Sequence, residues 1–272
     1  MKVLKSFWSG VKNASLPVYS LLALVFLLTP IAYTIIFSFN RSFRRNTVWN
    51  EFTLDNWLNP CQRADLCQAV GNSILISVVS TLVATALGTA LAIALVRYRF
   101  KFKAFVNFAL FLPMATPEIV MGAGLAGLFF NAGFAPGMVP TILSHVMFCL
   151  SFVVVTVKAR VQTLDPALEE AGRDLYANPS QVFWKITFPL LMPGIAAAAL
   201  LSFALSFDDF IITYFNSGAV NTFPKFIYVT AKGGLPPQAN VIASSVFILA
   251  ILIVLGTQIS ANVKRKRLQN IK

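Results

Sequence analysis

Four ionisable residues stand inside long apolar runs of this chain: Glu118, His145, Asp208 and Asp209. A charged side chain at the centre of a bilayer costs about 3 kcal/mol or more, so such groups neutralise a cation, relay a proton or bond a neighbouring helix. A carboxylate can compensate an ammonium group that has shed its water, at the cost of its own desolvation. Asp208 and Asp209 are adjacent, and helical neighbours diverge by about 100°. Only one of the two can face a pathway; the other is left to bond a neighbouring helix or a companion subunit. Pro113 and Pro117 precede Glu118 and mark a kinked helix whose freed backbone groups need partners, which gives Glu118 a capping alternative. His145 reads as a polar contact inside a bundle, and Phe203, Phe207, Phe210 and Phe215 read as packing. Gly122-Ala-Gly124-Leu-Ala-Gly127 has the GxGxxG spacing, but it lies in an apolar run with no strand before it and reads as close helix packing. The sequence holds no Walker A pattern, no Cys/His cluster for a metal and no Ser/His/Asp set. No cofactor is expected on this chain.

The elements that must position these groups follow from composition. Of 272 residues, 57% are hydrophobic and only 12% are charged, with 25 Phe. Soluble domains carry about 25% charged residues. Mean hydropathy is +0.73. These values exclude a soluble enzyme, a disordered chain and a disulfide scaffold. They point to an all-α membrane bundle, forming a single transmembrane domain over residues 1–272. Six segments reach the spanning length of about 20 residues. They run over about 16–39, 73–96, 104–130, 138–157, 191–215 and 241–263. The first follows Lys2, Lys5 and Lys12 and is too long for a signal-peptide core of about 7–15 residues, so it reads as a retained anchor.

The net charge of +12 finds its explanation in topology rather than in nucleic acid. Lys2, Lys5 and Lys12, the run Arg97 to Lys103, the connection bearing Lys158, Arg160, Arg173 and Lys185, and the tail from Lys264 to Lys272 hold sixteen cations on one side. Arg41, Arg44, Arg45, Arg63, Lys225 and Lys232 make six on the other. The positive-inside rule then puts both termini in the cytoplasm. At about 1.5 Å per residue, Glu118 and Asp208 each lie roughly 22 Å from the inner face, and His145 enters span four from outside to a similar depth. The first outer connection, 40–72, carries an aromatic stretch that lays Trp57 at headgroup level. A Cys61–Cys67 disulfide requires that this stretch face an oxidising compartment. The connection over 158–189 is too long for a turn. Asp165 and Pro166 suit a helix start, 167–177 forms helix, Asn178-Pro179-Ser180 breaks it and 181–188 restarts.

That connection reads Glu170-Ala-Gly-Arg-Asp-Leu-Tyr176, then nine residues, then Ile186-Thr-Phe-Pro189. It resembles the E-A-A-x-x-x-G-x₉-I-x-L-P signature of permease subunits of ABC importers. Gly172 stands for the second Ala, Tyr176 for the Gly and Phe188 for the Leu. With that Gly replaced, the bend between the short helices is expected at Asn178-Pro179. Ser206-Phe-Asp-Asp-Phe-Ile-Ile-Thr213 with Ser217-Gly218, Leu112-Pro-Met-Ala-Thr-Pro-Glu-Ile-Val120, Phe223-Pro-Lys-Phe-Ile-Tyr228 and Gly234-Leu-Pro-Pro-Gln-Ala-Asn240 are similar to the spermidine/putrescine permeases; permeases for other organic cations, amino-acid derivatives or iron share parts of them.

The resemblance implies the type I importer permease fold in a bacterial inner membrane. It implies a second permease subunit, in all expectation a different chain, an ATPase subunit dimer that binds ATP and Mg, and an external binding protein that delivers substrate. ATPase closure would push the coupling helix and rock the spans between inward-open and outward-open states. It makes Glu170, Ala171, Gly172, Asp174, Tyr176 and Pro189 the coupling residues, and Glu118, Asp208, Asp209 and Trp57 the pathway residues, for an organic cation such as a polyamine. A secondary transporter would suit the intramembrane acids but leaves the motif-bearing connection unexplained; a membrane enzyme lacks its catalytic set. Reporter fusions are expected to put Lys101 and Lys264 in the cytoplasm and Arg44 and Lys225 outside. Arg44 and Lys101 on one side would sink the six-span reading.

Overall fold

The computed structural model describes residues 2–42 and 46–269, with the side chains of 16–42, 46–256, 258 and 259. Arg44, Arg45 and Lys272, and the side chains of Lys2, Lys5, Lys12 and of 264–267, lie outside the described residues.

Long apolar runs without water must satisfy their backbone internally, and helices do so. α1 is Lys2–Phe37. α2 (Asp55–Leu58) and α3 (Ala64–Arg97) follow. The predicted third span is two helices, α4 (Lys103–Ala115) and α5 (Glu118–Asn131). α6 is Met138–Gln162 and α7 is Ala167–Asp174. α8 (Pro179–Val182) passes through a π-helical turn, Phe183–Thr187, into α9 (Phe188–Asp208). α10 (Ile211–Asn216), α11 (Phe223–Ala231) and α12 (Pro237–Gln269) complete the described chain. Among the described residues five helical stretches are long and apolar enough to cross a membrane, and the bent pair α4–α5 makes a sixth when counted as one span.

Four expectations need correction. Span two begins nine residues early, at Ala64, so much of the first outer connection is helical. Span three bends by 112° between Ala115 and Glu118. Proline displaces the residue before it from helical geometry, and Thr116 and Pro117 are both extended, with ψ of 133° and 132°. Straight-helix depth arithmetic therefore holds for Glu118 only as far as Ala115. Span five ends at Asp208 rather than running on to 215. The cytoplasmic connection shrinks to 163–178, because α6 continues to Gln162 and the helix from Pro179 runs unbroken into span five. Pro189 lies inside that helix, where it has no N–H for the Lys185 carbonyl. The turn just before it widens, Phe188 N–H reaching back five residues to the Phe183 carbonyl.

The chain divides into two compact units, Met1–Cys67 with Val229–Lys272, and Gln68–Tyr228. In the first, α1 packs on α12 and α12 on α2. The outer connection folds around Asn40, whose amide donates to Asn46 Oδ1 at 2.7 Å and to the Val48 carbonyl at 2.8 Å. Asn56 donates to the Ser38 and Asn40 carbonyls. In the second unit α6 packs along α9, with Leu95, Phe148, Val153, Val157 and Leu191 in its core. A Cβ on Gly88 would meet Val153 Cγ1 at 2.6 Å, so only Gly admits α3 this close.

The bend in the cytoplasmic connection falls earlier than expected. Tyr176 takes φ +60°, and Ala177 N–H bonds the Gly172 carbonyl while Tyr176 N–H bonds that of Arg173. This is the Schellman arrangement that glycine usually closes. Asn178 has the other job: its side chain accepts from Gln181 N–H and Gln181 Oε1 accepts from Asn178 N–H, a capping box that starts α8. A left-handed non-glycine residue costs roughly 1 kcal/mol or more. Tyr176→Gly is expected to stabilise the chain by about 1 kcal/mol, read as a higher thermal midpoint of the purified protein. A lower midpoint would contradict this account of the turn.

Candidate functional site

The two helix breaks lie in the second unit and are neighbours. α5 packs on α10, and a Cβ on Gly122 would sit 3.3 Å from Ile212 Cα and 3.4 Å from the Ile211 carbonyl oxygen. Asn216 clamps this contact by donating to the carbonyls of Gly122 and Ile212. Glu118 lies one turn before Gly122, and Asp208 lies three residues before Ile211. Chain geometry alone then keeps the two backbones within roughly 20 Å of each other. Both side chains are exposed; Asp208 stands out from half-buried and buried neighbours, whereas Glu118 shares its exposure with Pro117, Ile119 and Val120.

Asp209 faces the other way. Its side chain is 2% exposed and that of His145 is 1%. Asp209 is extended, with ψ 127°, and its carboxylate accepts from Ile212 N–H at 3.2 Å and Thr213 N–H at 2.9 Å. These are N–H groups that the start of α10 leaves without helical partners. The Thr213 hydroxyl donates to Asp209 Oδ2 at 3.0 Å. His145 Nε2 stands 3.0 Å from Thr213 Oγ1 and 3.3 Å from Asp209 Oδ2, and its Nδ1 is 2.7 Å from Ser206 Oγ. Both ring nitrogens of His145 are thus within hydrogen-bond reach of polar partners, Ser206 on one side and Thr213 and Asp209 on the other. The set ties α6 to both sides of the break. The adjacent acids divide at the break itself: Asp208 closes α9 and is open, while the extended Asp209 folds its carboxylate back onto the start of α10.

Trp57 belongs to the first unit. Its indole N–H donates to Ser38 Oγ at 3.0 Å and its ring stacks on Phe39. Nearby, Arg41 bonds Glu51 and Asp55 and holds the Asp55 carboxyl below its ordinary range. Cys61 and Cys67 are disulfide-bonded. Lys225 is buried without a carboxylate: its ammonium donates to Ser217 Oγ, the Gly218 carbonyl and the Val220 carbonyl, and burial lowers its pKa. Gly218 permits the loop, with φ +55° and the Pro136 carbonyl oxygen 2.8 Å from where a Cβ would stand.

On the connection 163–178, Glu170, Ala171 and Asp174 are exposed, Leu175 is exposed and Tyr176 is 98% exposed. Gly172 is buried, its missing Cβ only 2.6 Å from Ile186 Cδ1. Pro189 is exposed on α9. The sequence reading missed Glu169. That acid lies three residues before Gly172, on the same helix face, and this spacing was a usable signal. Among the described residues no group of His, Cys, Asp and Glu could hold a metal ion.

The fold and this arrangement define a permease of a binding-protein-dependent importer. Residues 64–269 match the family described as the inner membrane component of binding-protein-dependent transport systems, and the chain belongs to it. It is 39% identical over 243 residues to the spermidine/putrescine transport system permease protein PotC of Escherichia coli (strain K12), covering 89% of this chain and 91% of that one. It is 33% identical over 262 residues to the putrescine transport system permease protein PotI of the same organism, covering 93% and 92%. A bacterial ABC transporter that imports the acidic polysaccharide alginate has a chain of the same fold, with TM-score 0.62, 17% identity and coverage of 93% and 97%. An inward-facing methionine ABC transporter gives TM-score 0.56 at 19% identity, covering 70% of this chain and 92% of that one. The chain is a transport permease, not an enzyme.

His145→Ala and Asp209→Ala each leave buried polar partners unpaired, and breaking such a set costs about 3 kcal/mol or more. Both variants are expected to lower the amount of folded protein in the membrane, while Asp208→Asn leaves it unchanged. Equal yields for all three, measured by fluorescence size-exclusion chromatography, would refute the division between these acids.

Proposed function

We propose that this chain forms part of the pathway for an organic polycation, a polyamine of the spermidine or putrescine type, in an ATP-driven importer of a bacterial inner membrane. The observation that carries the reading is the pair of neighbouring helix breaks, each with an exposed carboxylate. α4 ends at Ala115 and α9 ends at Asp208, and helix C-termini present free carbonyls and partial negative charge. Irregular backbone at membrane depth belongs where it lines a cavity. Two carbonyl-rich ends with Glu118 and Asp208 beside them suit a desolvated ammonium chain. The contact has to stay weak enough for release. The names of the PotC and PotI relatives support the same substrate class.

The partners follow from the same reading. A binding protein delivers substrate from outside, a second permease subunit of different sequence completes the pathway, and an ATPase pair binds ATP and Mg. α7 docks that pair, presenting Glu170, Ala171, Asp174 and the outlying Tyr176, with Gly172 and Pro189 shaping its seat. Both termini lie in the cytoplasm; the Cys61–Cys67 disulfide supports an oxidising, outer location for the first connection. Trp57 steadies that connection.

The test is uptake in proteoliposomes holding the full complex and its binding protein, normalised to assembled complex. Losing one desolvated charge contact of about 1.5 kcal/mol or more corresponds to about tenfold. Glu118→Gln and Asp208→Asn are each expected to lower polyamine uptake about tenfold with basal ATPase retained. Parental uptake in both would remove these acids from the pathway, and transport of a neutral solute in place of polyamine would overturn the substrate class.

A further inference from the structure

A second polar cluster stands apart from the helix breaks and joins three elements. Glu169 lies on the first turn of α7. Its Oε1 accepts from Arg97 Nη2 at 2.7 Å and from the Thr187 hydroxyl at 2.9 Å. Arg97 is the last residue of α3, and Thr187 closes the π-helical turn that leads into α9. The Arg97 and Glu169 side chains are 23% and 17% exposed, and Thr187 is buried. The ion pairs Arg41–Glu51 and Arg63–Asp65 are far more open to water. Water screens such open pairs, whereas a shielded, charge-assisted bond holds its geometry.

We propose that Arg97, Glu169 and Thr187 form a clasp that carries displacement of α7 into spans two and five, which makes Arg97 and Glu169 positioning residues for transport. The proposal rests on the reading of α7 as the ATPase-docking helix. α7 is eight residues long and hangs between the connection 163–166 and the turn at 175–178. A short helix between two connections passes on a push to the spans only where its side chains are pinned to them. Its apolar pin is the seat of Gly172 against Ile186 and Val182, on the same stretch that leads to α9. The clasp adds a second point three residues away and is the polar bond from α7 to α3. Glu170, one residue on, is exposed and free to meet a partner while Glu169 holds the helix from behind.

The experiment uses the full complex with its binding protein in proteoliposomes and reads substrate imported per ATP hydrolysed. Glu169→Gln keeps the shape and the Thr187 bond but loses the charge. Arg97→Glu and Glu169→Arg are measured singly and together. The single variants are expected to keep the ATPase subunits bound and hydrolysing while import per ATP falls at least fivefold, and the charge-swapped double variant is expected to return to within twofold of the parent. A parental ratio in Glu169→Gln and in Arg97→Gln would overturn the clasp. So would a loss of assembled complex in the single variants that the double variant leaves uncorrected, because that pattern marks a merely structural pair. Co-purification of the ATPase with Glu170→Arg and Tyr176→Ala distinguishes the two readings. Undiminished ATPase docking in both overturns α7 as the docking helix and the clasp with it; lost docking together with a parental ratio in Glu169→Gln overturns the clasp alone.

Discussion

A helix that stops inside a membrane must find partners for the backbone groups it frees, because hydrocarbon offers none. In span five Asp209 meets that demand. Its carboxylate takes the N–H groups of Ile212 and Thr213, and His145, Thr213 and Ser206 take up the remaining polar capacity. The neighbouring break depends on this one, since α5 after the Pro117 bend packs on α10 through Gly122 and the Asn216 amide. Enclosing Asp209 also decides the fate of Asp208. With one acid turned into the bundle, its neighbour must turn out, and the open carboxylates of Glu118 and Asp208 come to stand at the ends of broken helices.

The same economy governs the cations. Lys225 is used internally, its ammonium held by one hydroxyl and two carbonyls so that it orders the loop after α10. Arg160 donates to the Leu190 carbonyl and Lys158 to Asn107, while Arg97 meets Glu169. Arg99 and Lys101 stay exposed between the aromatic residues Tyr98, Phe100 and Phe102, a distribution suited to the membrane interface. Where it is shielded, the surplus of positive charge positions helices.

The coupling connection illustrates how a departure from a family pattern is absorbed. Glycine at 172 in place of alanine allows Ile186 to approach, because any Cβ would collide with it. Tyrosine at 176 in place of glycine accepts a left-handed backbone, and its ring is left almost fully exposed. Strain of this kind persists only where the surroundings hold it, here through the paired Schellman bonds and the capping box at Asn178.

Much of this was legible in the sequence. Apolar runs as long as a bilayer is thick are satisfied as helices, so the all-α class and the approximate spans followed from length and composition, while the breaks that set Glu118, Asp208 and Asp209 at helix ends did not. The signature from Glu170 to Pro189 supplied the family; the divergence of Asp208 and Asp209 was argued from a continuous helix, whereas the helix ends between them. The sequence did not say which acid would face inward, that Pro117 would turn span three through 112°, or that Glu169 rather than Glu170 would meet Arg97 seventy-two residues away. Periodicity and spacing are local and describe one helix at a time. Which face a helix buries, and which freed N–H finds a carboxylate, depend on the helix packed against it, and that partner is chosen only when the tertiary structure forms.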